Sequence, residues 1–328
     1  MPREYRLKAR CTAGLFIYIM LLSGCGALAP QSTAIVASPP PGLSLGTALG
    51  NVPYYAQTEY HCGPAALAMA LNSAGANVTP EMLADQVYLP GRKGSLQVEM
   101  LAAARRNGMV AYVLEPKLDD VLREIDAGTP VITFENYGIG YFPIWHYSVA
   151  IGFDLHRGEI IRHSGALERQ PTPLAVFEHF WRAEGRWAMV AVPPERVPAT
   201  ASEARYAQAV IALEKSGQTQ RAASAYAAML KRWPANLAAL MGRGNTAHAL
   251  GDLATAETAF RHATLAHPDA AAAHNNLAQT LLDRGRLDEA RVAAERALAL
   301  GGPFRALAMA TLDAIQARQR STTTLGVP

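Results

Sequence analysis

The feature that most restricts the fold of this chain is an internal repeat of 34 residues that runs through residues 203–320. The following positions recur with that spacing: Gly217, Gly251 and Gly285; Ala222, Ala256 and Ala290; Tyr226 and Phe260; Pro234 and Pro268. The region is rich in alanine, and a repeat of this length holds two helices and a turn. Because one such unit cannot bury its apolar face alone, the sequence predicts a stack of paired helices.

This repeat resembles the tetratricopeptide repeat. The middle unit has the family's signature residues at Gly244, Ala256, Phe260, Ala263 and Pro268. The third unit departs from the pattern, since Ala294 replaces its aromatic residue and Gly302 its closing proline. Residues 304–318 are predicted to form a capping helix. The resemblance implies that the repeats bind a peptide or protein partner; a plain helical bundle is the alternative.

Residues 49–195 have a different, mixed pattern. Helices are predicted at 63–74, 80–88, 96–107 and 117–127, and strands at 109–114, 130–134, 146–153, 159–163 and 187–192. Because the helices come first and most strands come later, we expect an α+β domain followed by the all-α repeats.

Residues 1–24 have the layout of a secretory signal, a basic stretch followed by an apolar run at 11–22 that is too short to span a bilayer. The sequence Leu22-Ser23-Gly24-Cys25 resembles the bacterial lipobox, which implies a lipid anchor on Cys25 and a location at the membrane of the cell envelope. Since Gly26 follows, the resemblance implies the outer membrane, facing the periplasm. An ordinary signal peptide with a chance cysteine is the alternative.

Residues 25–48 are rich in Ala, Pro and Ser, and we expect them to form an extended tether. The formal net charge is +3, and residues 1–24 carry all of that excess. Because nucleic-acid binders usually carry basic residues in their folded part, we expect no nucleic-acid partner.

Cys62 is the one cysteine outside the signal and the lipobox, so it has no partner for an internal disulfide. It lies where a helix is predicted to begin, followed by Gly63 and Pro64. The unpaired N–H groups and the dipole of a helix N-terminus are expected to lower its pKa below the usual value of about 8.5. The alternative is a buried structural cysteine.

His146 begins an apolar strand and is the candidate general base. A cysteine on a helix with a histidine on a strand is the papain-like arrangement. Gln57, five residues before Cys62, is a candidate donor to an oxyanion. The alternatives are a hydrogen-bonded core histidine and a surface amide.

Three segments carry a resemblance to the C39-like cysteine peptidases: Gln57, Cys62-Gly63-Pro64-Ala65-Ala66 and His146-Tyr147-Ser148-Val149. The resemblance implies that Cys62 is the nucleophile, His146 the base and Gln57 the oxyanion donor. It also implies a polypeptide substrate and no cofactor. A zinc site is not expected, because the histidines and Cys62 form no tight ligand pair.

In that family an Asp on the next strand orients the histidine. Asp154 is a poor candidate, since eight residues of strand place it about 26 Å from His146. A hairpin turn near residues 155–156 would bring the family's Asp to His163 or Ser164, and neither is a carboxylate. Three alternatives to a peptidase therefore stay open: an inactive peptide-binding module, a thiol-dependent amidase or transpeptidase, and an assembly factor working through the repeats.

Overall fold

A computed structural model describes residues 29–57, 60–139 and 142–325. Its contacts divide the chain into two units. The first unit contains the described residues up to Ala103, Val113–Ala191 and Pro198–Thr200, and the second contains Ala104–Tyr112, Val192–Val197 and the residues from Ala201 onward. None of the helices in the described residues is long and apolar enough to cross a membrane.

The N-terminal part of the described chain combines helices with one main sheet. The helices are α1 (Pro30–Ala37), α2 (Cys62–Ser73), α3 (Pro80–Val87), α4 (Gln97–Arg106), α5 (Leu118–Asp126) and α6 (Leu174–Arg182). The strands are β1 (Gly46–Ala48), β2 (Tyr88–Leu89), β3 (Gly94–Ser95), β4 (Val110–Val113), β5 (Val131–Asn136), β6 (Trp145–Asp154), β7 (Glu159–Ser164), β8 (Leu167–Pro173) and β9 (Ala188–Val192).

The main sheet has the order β4-β9-β5-β6-β7-β8, and β1 pairs with the far end of β6. From β5 to β8, each strand pairs antiparallel with the next strand along the chain. This meander, with its helices mostly before it, confirms the predicted α+β class. Two pairs in its register matter for the site: Glu135 lies opposite His146, and Val149 lies opposite His163.

The extended tether predicted for residues 25–48 is wrong from Pro30 onward, because α1 and β1 form there. The buried carboxylate of Glu178 accepts hydrogen bonds from the N–H groups of Gln31 (3.2 Å) and Ser32 (2.7 Å), which satisfies the N-terminus of α1. β1 approaches Gly152 so closely that a Cβ there would lie 2.7 Å from the carbonyl oxygen of Thr47. The composition of this segment resembled that of a linker, because the partners that hold it in place, Glu178 and the strand β6, lie far away in sequence.

The repeat region consists of paired helices, as predicted. They are α7 (Glu203–Lys215), α8 (Thr219–Arg232), α9 (Leu237–Ala249), α10 (Leu253–Ala266), α11 (Ala271–Asp283) and α12 (Leu287–Leu300), followed by α13 (Arg305–Leu325) at the predicted cap. Glycines let the helices pack closely on aromatic rings: a Cβ on Gly242 would lie 2.2 Å from the Tyr226 ring, and one on Gly244 would lie 2.4 Å from the Phe260 ring.

Candidate active site

Cys62 is the first residue of α2, so its thiol lies at the helix N-terminus. Pro64 has no N–H to leave unpaired there, which favours a helix start at this point. Gly63 packs against the strand β3, and a Cβ on it would lie 2.3 Å from the Ser95 hydroxyl. The small residue after the cysteine therefore lets α2 approach the segment that forms one side of the site.

Burial raises the pKa of the Cys62 thiol, and hydrogen bonds from the backbone amides of Tyr147, Gly63 and Cys62 itself act in the opposite direction. The prediction of a lowered pKa is therefore wrong in sign, because desolvation outweighs the stabilisation that the helix N-terminus provides. The resting thiol is protonated at neutral pH. Because the backbone amide of Tyr147 is one of these hydrogen-bond donors, the sulfur lies beside the start of β6.

His146 is the second residue of β6 and is partly buried. Its Nε2 lies 3.0 Å from the hydroxyl oxygen of Ser164 at the end of β7. Burial lowers the pKa of His146, Glu135 raises it, and Arg162 lowers it. An imidazole with a lowered pKa is neutral at pH 7 and can accept a proton.

The turn between β7 and β8 fixes Gln57. The N–H of Gly165 donates to Oε1 of Gln57 (2.9 Å), and the backbone N–H of Gln57 donates to the Gly165 carbonyl (3.1 Å). Nε2 of Gln57 donates one hydrogen to the carbonyl of Tyr147 at 3.2 Å. An amide nitrogen carries two hydrogens, so the second is available to an oxyanion. Because Gly165 follows Ser164, one turn positions both Gln57 and the partner of His146.

Cys62, His146 and Gln57 line one cavity of about 840 Å³. Apolar and aromatic residues form part of its wall, namely Phe134, Pro143, Ile144, Trp145 and Tyr147, and charged residues also reach it, namely Arg92, Lys93 and Glu184. A cavity of this size holds several residues of a peptide in extended form. A thiol, a neutral imidazole and a fixed amide donor on one cavity can together attack a carbonyl carbon and hold the charge that develops on its oxygen.

The two candidates for orienting His146 are placed differently. Ser164 contacts the imidazole, as given above, whereas His163 lies on the opposite side of β7, with its ring centroid 5.3 Å from that of Tyr54. Nδ1 of His163 accepts a hydrogen bond from the N–H of Arg169 at 3.1 Å. His163 is not among the residues that line the cavity. Asp154 lies at the far end of β6 and accepts from the N–H of Arg157 at 3.0 Å.

The lipidation site and a metal site are the two remaining features considered in the sequence. Cys25 and the predicted signal at residues 1–24 lie outside the described residues. Within the described ranges, no group of three or more His, Cys, Asp or Glu side chains is arranged to hold a metal ion.

Comparisons with known families agree with the two-part organisation. Residues 49–189 match the model of the Peptidase_C39 like family, and residues 206–263 and 249–306 match that of the tetratricopeptide repeat. The chain carries a C39-like peptidase domain followed by tetratricopeptide repeats. No curated protein is similar enough to the chain to count as a match.

Solved structures are similar to one part of the chain or the other. A C39-like peptidase from Bacillus anthracis is 20% identical, with 45% of this chain and 98% of that chain covered and a TM-score of 0.39. The Yersinia enterocolitica type III secretion chaperone SycD, in complex with a YopD peptide, is 19% identical over 37% of this chain and 98% of that chain, with a TM-score of 0.34. The TPR2B domain of yeast Sti1, in a complex with Hsp70, is 16% identical over 35% of this chain and 98% of that chain, with a TM-score of 0.34.

The C39-like domain also has polar residues beside the site that the sequence analysis did not single out. Glu135 lies near the end of β5, Tyr137 is the residue after that strand, and Arg162 lies two residues before Ser164 on β7. Glu135 is fully buried and forms an ion pair with Arg162. The signal that could have found them is a period of two, which places polar side chains on one face of three adjacent strands. These side chains are Thr133, Glu135 and Tyr137 in and directly after β5, His146 and Ser148 in β6, and Arg162 and Ser164 in β7.

Proposed function

We propose that the C39-like domain is a cysteine peptidase that hydrolyses peptide bonds of a polypeptide, with Cys62 as nucleophile, His146 as general base and Gln57 as oxyanion donor. The observation that carries this proposal is that the three side chains, brought from a loop, a helix and a strand, line one cavity. The family match over residues 49–189 supports the same chemistry.

The reaction begins from a neutral thiol and a neutral imidazole, in keeping with the raised pKa of Cys62 and the lowered pKa of His146. As the sulfur attacks the carbonyl carbon, its proton passes to His146, and the oxygen takes the negative charge beside Nε2 of Gln57. The imidazolium then gives that proton to the leaving amine, which leaves a thioester. Water, deprotonated by His146, attacks the thioester and releases the acid and the thiol.

Tetratricopeptide repeats are typically peptide- or protein-binding modules, and this chain has them after the catalytic domain. Within the proposal, the repeats recruit a protein partner or the substrate.

The lipobox-like sequence supports acylation of Cys25 and anchoring at the outer membrane, facing the periplasm. Replacing Cys25 by Ser should move the protein from the membrane fraction to the soluble fraction and abolish labelling by a fatty-acid analogue. Unchanged membrane association and labelling would contradict the anchor.

Hydrolysis can be tested without knowing the substrate by using peptides from a whole-cell digest and detecting new termini by mass spectrometry. Wild-type protein should produce termini that Cys62→Ser and His146→Ala do not. His156→Ala is the matched control, since this histidine is exposed in the turn between β6 and β7. Gln57→Ala should lower kcat roughly 100-fold, the effect of losing one oxyanion donor. No new termini with any peptide would overturn the peptidase.

A binding module without hydrolysis is the second candidate. It is favoured by the partner of His146, which is the Ser164 hydroxyl and not a carboxylate, and a hydroxyl stabilises an imidazolium less. In that case wild-type protein and Cys62→Ser would retain the same peptides of the digest, and neither would cleave them.

A further inference from the structure

The geometry points to Glu135 as a positioning residue that acts on His146 through Tyr137 and Ser164, in the place of a carboxylate bonded directly to the imidazole. This inference rests on the proposed function, since it concerns the proposed general base. The argument follows the hydrogen bonds outward from the ring.

The first link joins His146 to Ser164. Their contact of 3.0 Å engages Nε2, so Nδ1 is the ring nitrogen left to serve the thiol. Ser164 is buried, and the adjacent turn at Gly165 is held by Gln57. When His146 takes the proton of Cys62, its Nε2–H donates to the Ser164 oxygen. That oxygen is a better acceptor if the serine's own hydrogen is donated onward.

The second link is Tyr137, whose phenol donates to Oε2 of Glu135 at 2.7 Å. Burial raises the pKa of Tyr137 to about 12, so the phenol stays protonated and can donate throughout the working range of the enzyme. The hydroxyl of Ser164 acts to lower the pKa of this phenol, which indicates that the two hydroxyl groups face each other. The Tyr137 ring also lies beside His146, with 5.3 Å between ring centroids, and packs edge-on against Phe180 of α6. Tyr137 therefore lies beside the imidazole and is itself held by the Glu135 carboxylate.

The third link is Glu135, which is held from all sides. Oε1 accepts from the hydroxyls of Thr133 (2.9 Å) and Ser148 (2.5 Å), while Oε2 accepts from Tyr137 and from Arg162. Arg162 also donates to the Tyr137 oxygen at 3.0 Å. A buried ion pair is costly to desolvate and is weak evidence for a gain in stability. Its position, one phenol and one hydroxyl away from the imidazole, supports a role in holding the base.

The charges around His146 set the expected pH effect. They are Cys62 from α2, Glu135 and Tyr137 from β5 and the residue after it, Arg162 from β7, and Glu184, which follows α6 and lines the cavity. Glu135 raises the pKa of His146 and Arg162 lowers it, so the two charges act on the imidazole in opposite directions. The effect of Glu135 is therefore expected to travel through the oriented hydrogen bonds, and breaking the chain at Tyr137 should make His146 a weaker base.

Tyr137→Phe removes only the phenol oxygen and is the main variant. In the full chain, we expect kcat to fall roughly tenfold with little change in KM, the scale of losing an orienting partner. The acid limb of kcat/KM should shift to lower pH, because a less stabilised imidazolium gives His146 a lower pKa. Ser164→Ala should have an equal or larger effect, and the double variant should be no worse than Ser164→Ala. Tyr206→Phe, at a buried tyrosine of the second unit whose hydroxyl donates to Arg196, is the matched control.

A measurement without substrate separates this inference from the peptidase proposal. The rate at which iodoacetamide alkylates Cys62 at pH 7, followed on the Cys62 peptide by mass spectrometry, should fall roughly tenfold in Tyr137→Phe and further in His146→Ala. In the background of Ser164→Asp, which offers a carboxylate directly to His146, Tyr137→Phe should have little effect. Effects of Tyr137→Phe and Ser164→Ala that multiply, or a Tyr137→Phe variant with an unchanged alkylation rate and pH profile, would overturn the inference even if hydrolysis is found.

Discussion

The two parts of the molecule each contain a glutamate bound by arginine, and the surroundings of the two differ. In the C39-like domain, Glu135 is fully buried and its partner Arg162 is only 6% exposed. In the repeats, Glu257 is 8% exposed, but its partners Arg261, Arg284 and Arg286 are 34–41% exposed. The repeat arginines keep much of their hydration, whereas the pair in the domain has lost nearly all of it. The first pair therefore depends on complete internal pairing, and the second joins neighbouring helices at the surface.

The largest contrast is expected when each glutamate is replaced by leucine. Glu135→Leu leaves Arg162 buried and unpaired and should lower the free energy of unfolding by about 4 kcal/mol. Glu257→Leu should cost about 1 kcal/mol, because its arginines can return to water. Urea unfolding of the full chain distinguishes the regions: tryptophan fluorescence reports mainly on the domain, which contains Trp145, Trp181 and Trp187, and the ellipticity at 222 nm reports mainly on the repeats.

The control for that comparison removes both charges of the buried pair. Glu135→Leu combined with Arg162→Met should recover most of the lost stability, since an apolar pair of similar volume can replace a buried ion pair. Equal losses for Glu135→Leu and Glu257→Leu would show that the difference in exposure of the arginines does not govern the energetics.

Glycine contacts give the next contrast. Gly244→Ala forces a Cβ against the Phe260 ring inside the repeats, and overpacking of this kind costs about 1–3 kcal/mol. Gly152→Ala in the C39-like domain instead meets the backbone of β1 at the sheet edge. We expect it to release β1, seen as faster amide hydrogen exchange at residues 46–48, with a smaller change in the urea midpoint. Protected exchange at those residues in the variant would contradict this.

The smallest expected effect is a difference in the sign of pH dependence between two aspartates. Desolvation raises the pKa of Asp120 to about 6, so its contribution to stability is present at low pH and is lost as the pH rises through 6. Asp120→Asn should therefore stabilise the protein at pH 7, by about 1 kcal/mol once solvent screening is allowed for, and not at pH 3.

Asp252 in the repeats behaves in the opposite way. Its contacts with Thr255 at the start of α10 lower its pKa, so its contribution is present at neutral pH and is lost as the pH falls. Asp252→Ala should destabilise the repeats at pH 7 more than at pH 3. Thermal unfolding of both variants at the two pH values tests the pair; the same sign for both would show that local burial and capping do not set these pKa values.

Much of the fold could be predicted because its signals are local. The 34-residue period, and the alternation of apolar residues in segments such as 146–153 and 159–163, require no knowledge of distant contacts. The missed helix α1 and the missed strands β1, β2, β3 and β8 lack that support. The helix α6 was also missed, although its buried residues Leu174, Phe177 and Trp181 recur at helical spacing. β8 carries prolines at its end and mostly exposed side chains, and β1 has only three residues, which pair with the distant strand β6.

The candidate site divides in the same way. Cys62, His146 and Gln57 were predicted because each stands in a local motif, and hairpin geometry alone brought Ser164 within reach of His146. His163 was proposed with it because a register error of one residue exchanges the two faces of a strand. Glu135 was missed because its role depends on Tyr137 and Ser164, which are brought together only by the pairing of three strands. The direction of the Cys62 pKa was missed because burial is a property of the folded chain.

The anchoring of α1 by Glu178 has a consequence for the distance from a lipid anchor at which the proposed peptidase would work. If Cys25 carries lipid, only the residues between it and Pro30 separate the acyl chains from the folded body, a span of at most about 18 Å. A flexible linker of two dozen residues would let the cavity sample a wide volume above the bilayer. With an acylated Cys25, the short connection would confine the cavity to a thin layer near the headgroups, which would favour substrates that are themselves held at that surface.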